Sequence, residues 1–448
     1  MDNMNDGDHE RTNATSPARN GPQRNLDRRR VLKTTAGGAA GLSLAGCLET
    51  AGSFVGNDDA EPVTIGVLAP NPESDETGRS IVRGARLAVD QLNDGDGILG
   101  RDVEMVVGDT NGSAPEGRRQ YQRLILEENA DITLGVSTTE VLVPLLDEIA
   151  EQETVHLTAG SATTTASERV KSSYDDYKYH FRVGPINGTN LAEAQLDFLT
   201  EKGSDIGWDS IAVLAENYDW TDGLWDFYQS RLPETDIEVT TWERYPPEID
   251  DFSEIYTRVE DSNADAAFIS TAHTGTAALA DWRPEERDFE FGGIHVPMQL
   301  PSYYQQTGGD CEYAVGYASA TDTANLTNET SEFVGDYQNA NGGKSPVYTG
   351  YIAYDAVNVF KRAAKRADSL ESDALVGSLE ETEFTGTTGT IEFHGPDDEH
   401  PHDVIYGEDN VHPVYFQWQE IDGEGQQTVI WPDEFAADGA EYMTPDWL

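Results

Sequence analysis

The sequence predicts an α/β protein built from two doubly wound, parallel-sheet lobes. Short runs rich in Val and Ile alternate with stretches whose apolar residues recur at helical spacing. The alternation is too long for one small domain in a chain of 448 residues, since a domain usually takes about 100–150. Hydrophobic residues make up 37% and aromatics 9%, enough to bury cores and to argue against wholesale disorder. Strand–helix alternation of this kind wraps helices around parallel sheets.

Val63 to Leu68 is a short apolar run and reads as a buried strand. From Ser80 to Leu92 the apolar residues Ile81, Ala85, Leu87, Ala88 and Leu92 recur at helical spacing. Gly95 to Gly100 breaks the chain, and Val103 to Val107 is a second strand. Pro115 to Glu128 reads as helix, Ile132 to Val136 as strand, Glu140 to Glu151 as helix and Val155 to Leu157 as strand. Ile211 to Leu214 and Ala266 to Ile269 are later strands, with helices over Gly223 to Arg231 and Phe252 to Glu260.

The formal net charge is −54, and lysine is scarce, seven against 22 arginines. Charge of this size repels itself in dilute salt. Molar salt shrinks the screening length to roughly 3 Å and makes it tolerable. The acid is spread along the chain, and the composition resembles that of proteins from extreme halophiles. Nucleic acid is excluded as a partner, because its phosphates meet a like-charged surface.

Residues 1–46 read as a disordered start followed by an export signal. Residues 1–27 are polar without apolar periodicity. Asp27-Arg28-Arg29-Arg30-Val31-Leu32-Lys33 resembles a twin-arginine signal, with Arg28 and Arg29 as the pair and Val31 departing from the usual aromatic. Thr34 to Gly46 is a run of Ala, Gly, Leu, Thr and Ser, shorter than the roughly 20 apolar residues that span a bilayer. Leu44-Ala45-Gly46-Cys47 resembles a lipobox, which implies a lipid on Cys47 and a membrane-anchored, extracytoplasmic protein. Residues 47–61 are small and acidic and read as a tether. Cys311 is the only other cysteine, so no disulfide within the chain and no cysteine metal site is expected.

The body carries a resemblance in several ordered pieces. Ile81-Val82-Arg83-Gly84-Ala85-Arg86-Leu87-Ala88-Val89-Asp90-Gln91-Leu92-Asn93, Gly97-Ile98-Leu99-Gly100-Arg101 and Val107-Gly108-Asp109 are similar to the opening of the branched-chain amino-acid-type periplasmic binding proteins. Phe181-Arg182-Val183-Gly184-Pro185, Asn217 to Gly223, Tyr351 to Val357 and Phe384 to Phe393 resemble later segments of that family, in order. The resemblance covers about residues 62 to 420. It implies the type I fold, two lobes joined by a three-strand hinge, serving as the substrate-binding component of an ABC importer. Lobe 1 is expected over 62–182 plus 312–383, and lobe 2 over 183–311 plus 384–430. Residues 431–448 are expected as a tail, and the crossings lie near Arg182, Cys311 and Phe384.

In open parallel sheets, ligands bind beyond the carboxyl ends of strands, at helix N-termini. Gly135 to Glu140 and Thr158 to Thr163 close two such strands with small hydroxyl residues and backbone N–H groups, which suits a carboxylate. The resemblance implies that these loops hold one, through Ser137, Thr138, Thr139, Gly160, Ser161 and Thr163. The competing role is helix capping, for which Ser and Thr are favoured anyway. Trp220 and its neighbour Tyr218 fall where the family closes an aromatic over the ligand, with core packing as the alternative.

Two positions depart from the family. Amino-acid binders hold the ligand ammonium with acids where this chain has Asn187 and Thr271-Ala272-His273-Thr274-Gly275-Thr276. A buried ammonium without a counter-charge is unfavourable. Glu216, Asp219 or Asp222 are the replacements on offer. Otherwise the ligand is an amide, a urea-like compound or a simple carboxylate, and His273 donates to it.

No Gly-rich phosphate loop, zinc spacing or Gly-x-Ser-x-Gly elbow is present, so no enzyme and no cofactor is expected. His394, His400, His402 and His412 lie among acids, but their spacing matches no metal signature. A receptor of the same fold is expected to carry a membrane helix and a signalling domain, and neither precedes Pro445-Asp446-Trp447-Leu448. The expectation is a monomer that captures a small molecule, a branched-chain or related amino acid on the family's pattern, and delivers it to a membrane permease.

Overall fold

A computed structural model describes residues 61–448. The twin-arginine stretch, the apolar run, Cys47 and the tether up to residue 60 lie outside the described residues.

The first sheet takes β1 (Val63–Ala69), β2 (Val103–Asp109), β3 (Ile132–Gly135), β4 (His156–Ala159) and β5 (His180–Gly184) in the order β2-β1-β3-β4-β5. All four pairings are parallel. Helices α1 (Glu76–Asn93), α2 (Ala114–Leu126), α3 (Thr139–Gln152), α4 (Thr165–Ser172) and α5 (Tyr174–Tyr177) connect these strands. Every residue of β1 is buried, as expected of a central parallel strand covered on both faces. Asp75 caps α1, its carboxylate accepting from the Gly78 N–H at 2.7 Å.

After α6 (Gly188–Lys202) a second sheet forms, in the order β14-β13-β10-β9-β8-β6-β7. Its strands are β6 (Ser210–Glu216), β7 (Glu238–Tyr245), β8 (Ala266–Thr271), β9 (Glu290–His295), β10 (Val315–Ala318), β13 (Val414–Ile421) and β14 (Glu424–Trp431). Helices α7 (Asp219–Arg231), α8 (Ser253–Ser262), α9 (Gly275–Trp282) and α10 (Tyr303–Gln306) are interleaved. β13 runs antiparallel to both β10 and β14, and the other pairings are parallel. The remaining elements are α11 (Asn328–Ala340), α12 (Tyr348–Ala367), α13 (Ser372–Leu379) and a hairpin of β11 (Phe384–Thr385) and β12 (Thr390–Ile391). α12 returns to the first lobe and packs on α1. A Cβ at Gly84 would sit 2.1 Å from the Gly350 carbonyl oxygen, so glycine allows that close approach.

The chain passes between the sheets three times, and two of the passages lie elsewhere than expected. Cys311 is not a crossing. It is buried in the second lobe's core, and β10 just beyond it pairs with β9 and β13. The chain returns to the first lobe only after Ala318. Nor does it leave again at Phe384. The Thr387 N–H and hydroxyl donate to the buried Asp355 of α12, and the Arg182 N–H and C=O pair with His402 and Val404 at 2.9 and 3.1 Å. Residues 384–404 therefore stay with the first lobe, and the third crossing leads from Val404 to β13. The last residues pack on the second lobe: the Met443 N–H donates to Gln417 at 2.8 Å, and Trp447 Nε1 to the Arg287 carbonyl at 2.9 Å.

Candidate ligand-binding site

The carboxyl ends of strands from both sheets converge on a cleft of ≈ 430 Å³. The first lobe contributes Ser137 to Glu140 after β3 and Gly160 to Ala162 after β4. The β3 loop is built under strain. Gly135 and Val136 both have positive φ, 116° and 64°, and the Val136 N–H is tied to the Leu68 carbonyl at 3.0 Å. For a β-branched residue this backbone is unfavourable, and such strain gathers at functional sites. It turns the chain so that α3 begins at Thr139, on the wall of the cleft. Thr138 is the N-cap residue, yet its hydroxyl makes no capping bond. Capping therefore does not account for Thr138.

Gly160 has φ 150°, and a Cβ there would lie 2.7 Å from the Ser137 Cα. Only glycine lets the two loops touch. Next to it Ser161 is 2% exposed, and its Oγ has no hydrogen-bond partner. A buried hydroxyl left this way is unfavourable unless something else supplies the bond.

Two expected contacts do not reach the cleft. Thr163 is absent from its wall: its hydroxyl accepts from the Thr165 N–H at 3.3 Å, and its carbonyl accepts from Arg182. Asn187 is fully buried, with both ends of its amide in use. Its Oδ1 caps α6 by accepting from the Asn190 N–H at 3.0 Å, and its Nδ2 donates to Asp403 at 3.0 Å. Arg182, also buried, pairs with Asp403 at 2.9 Å and donates to the Ser161 and Thr163 carbonyls. Sequence reasoning passed over Arg182 and Asp403 as functional residues. A lone Arg inside an apolar strand was the available signal, since Arg is rarely buried unpaired.

On the second lobe, Tyr218 and Trp220 follow β6 and are half-buried on the wall. The Tyr218 hydroxyl reaches across to Glu140 of the first lobe at 3.2 Å. Glu216 ends β6 fully buried and faces five donors. Its Oε1 accepts from Trp220 Nε1, the Ala272 N–H and His273 Nδ1; its Oε2 accepts from the Thr271 hydroxyl and the His273 N–H. Burial pushes its pKa up, but the bonds from Thr271, His273 and Ala272 outweigh that and hold the carboxyl below its ordinary range. His273 is on the wall and exposed. Since Glu216 only accepts, His273 Nδ1 carries the proton and Nε2 is left for a ligand. Asp222 is outside the wall and pairs with Arg244 at 2.7 Å.

Tyr317 and Ser319 close the wall near the second crossing, and their buried hydroxyls have no partner beyond each other. A larger groove of ≈ 940 Å³ lies between α1 and the β13–β14 hairpin, lined by Arg79, Arg83, Lys344 and Asp422 among others. None of its lining residues has a buried, unpartnered polar atom, whereas the smaller cleft has Ser161 Oγ. The smaller cleft is the one with unmet hydrogen-bonding capacity. Among the described residues no group of three His, Cys, Asp or Glu is placed to hold a metal. His402 instead stacks on Phe181, ring centroids 3.9 Å apart.

Comparison with known proteins places the fold. Over 321 residues the chain is 23% identical to the Leu/Ile/Val-binding protein homolog 3 of Brucella melitensis, covering 70% of this chain and 82% of that one. Its fold matches the LivJ substrate-binding protein of Streptococcus pneumoniae solved with isoleucine, with TM-score 0.66 and 16% identity over 83% of this chain and 99% of that one. It also matches a solute-binding protein of Rhodopseudomonas palustris solved with 3,4-dihydroxy benzoic acid, with TM-score 0.67 and 17% identity over 82% and 96%. The model of the periplasmic binding protein family matches residues 62–408, and the chain belongs to that family.

Proposed function

We propose that the protein is the extracytoplasmic solute-binding component of an ABC importer, capturing a small carboxylate between two hinged lobes. The observation that carries this is Ser161 Oγ, buried and unpartnered beside the N-terminus of α3. Ser137, Thr138, Thr139 and Ser161 would hold the carboxylate, with the close contact at Gly160 setting their spacing. Tyr218 and Trp220 would close from the second lobe, and the ligand would shift the open–closed equilibrium towards closed. A membrane permease would read the closed form. Export by the twin-arginine route and a lipid on Cys47 would keep the protein, as a monomer, at the cell surface.

The names of the relatives favour a branched-chain amino acid. The absence of an acid at Asn187 and His273 favours a second reading, a carboxylate without an amine. A thermal-shift screen of amino acids, amides and small carboxylates in molar KCl tests the reading. Stabilisation by at least one carboxylate is expected, lost in Ser161→Ala. No stabilisation by any of them would sink it.

A further inference from the structure

Resting on that reading, we infer the ligand's class: a carboxylate whose body is apolar or aromatic, with a neutral hydrogen-bonding group at its far end and no ammonium. An α-ammonium lies two bonds from its carboxylate and needs an acid within hydrogen-bond reach, since burying it uncompensated is strongly unfavourable. Among the described residues only one carboxylate lines the cleft, Glu140, which is exposed and already accepts from the Tyr218 hydroxyl. The nearest buried acid, Glu216, is absent from the wall and faces five donors of its own.

What the second lobe offers in place of an acid carries no negative charge. His273 is held by Glu216 so that Nε2 remains for a ligand, and the buried Tyr317 and Ser319 hydroxyls have no partner beyond each other. Each of these matches a hydroxyl or carbonyl on the ligand. The rest of the wall is largely apolar, Ile186, Leu191, Ile294, Val296 and the rings of Trp220 and Tyr348, with the uncharged Gln299 amide beside them. Such a wall gains by covering hydrocarbon and gives nothing back to an ammonium that has lost its water.

Titration calorimetry of the purified protein in molar KCl, with matched pairs, tests this. The pairs are leucine against isocaproate, phenylalanine against hydrocinnamate, and tyrosine against phloretate. Each deaminated acid is expected to bind at least about tenfold tighter than its amino acid. An amino acid that binds as tightly as its partner or tighter overturns the inference and leaves carboxylate capture standing; loss of that binding in Glu140→Gln would then identify the ammonium's partner. If neither series binds, carboxylate capture itself fails and the inference with it. Tyr317→Phe and Ser319→Ala should weaken phloretate several-fold more than hydrocinnamate. Equal losses for both acids would overturn the assignment of those hydroxyls to the ligand's neutral group.

Discussion

Arg182 and Asp403 form an ion pair at 2.9 Å with both side chains wholly sealed from solvent, joining the middle of β5 to a segment 221 residues later in the chain. The pair stands where the first and third interlobe passages run side by side. Arg182 also holds the Ser161 and Thr163 carbonyls, and Asp403 holds Asn187 at the start of α6. One buried polar node thus ties the proposed carboxylate loop to two of the three hinge strands. Its parts satisfy one another, as a buried charge pair must if it is not to be a net penalty.

Breaking that node should hurt both stability and binding. Arg182→Met leaves Asp403 buried and unpaired, which is expected to cost about 3–5 kcal/mol. Denaturant unfolding in molar KCl measures it. Arg182→Lys should keep the charge but lose the second and third donors, so that ligand affinity falls further than stability does. A lysine variant with unchanged affinity would show that the loop does not depend on Arg182.

Ser161→Ala separates binding from folding. The Oγ is buried without a partner, so its removal should leave stability within about 0.5 kcal/mol of the parent or slightly raise it. Ligand affinity should fall at least about tenfold. Parallel unfolding and calorimetric titrations check the two halves of this prediction.

Gly160→Ala acts through shape. The new Cβ would meet the Ser137 Cα at 2.7 Å, on a backbone with φ 150° that L residues rarely adopt. Destabilisation of roughly 1–3 kcal/mol is expected, with loss of binding because the two loops are pushed apart. A variant that binds normally would mean that the spacing of the loops is not set here.

Stability should rise from acid pH and level off above about neutral. Burial pushes His156 and His295 down to about 3 and His180 well below its usual value. Such groups add stability above their unfolded pKa, near 6.5, and lose it as pH falls towards the folded value, by roughly 1.4 kcal/mol per unit for each. Asp355 works in the opposite sense. Burial raises it to about 7 against the pull of its Thr387 and Thr388 bonds, so the fold favours its protonated form, and that contribution is lost as pH rises from the unfolded value, about 3.9, to about 7. Below pH 6.5 three histidines outweigh the one aspartate, so stability rises with pH and levels off above about 7, where all four groups carry the same charge folded and unfolded. Unfolding free energies across pH 5–8 test the rise and the plateau, and Asp355→Asn should steepen the rise.

Much of the architecture was legible in the chain because it follows from local periodicity. The runs at Val63, Val103, Ile132 and Ala266 became strands, and the stretches after Ser80 and Glu140 became helices, within a few residues of their expected bounds. The loops at Ser137 and Ser161 were legible too, since strand–loop–helix order alone puts them at a sheet's carboxyl edge. The passages at Cys311 and Phe384 were misplaced because membership of a lobe depends on pairing partners. β10 joins the second sheet through β9 and β13, and residues 384–404 are held by Asp355 and Arg182.

The sequence by itself determined the fold class, the family and the position of the two hydroxyl-bearing loops, because each rests on patterns a few residues long. Only the tertiary structure decided what the side chains at those places do. Asn187 looked like a ligand contact from its position and became a helix cap bonded to Asp403, 216 residues away. Glu216 looked like a replacement for a missing acid and became the buried support of His273. A side chain's role is set by what satisfies its hydrogen bonds, and here those partners come from distant parts of the chain.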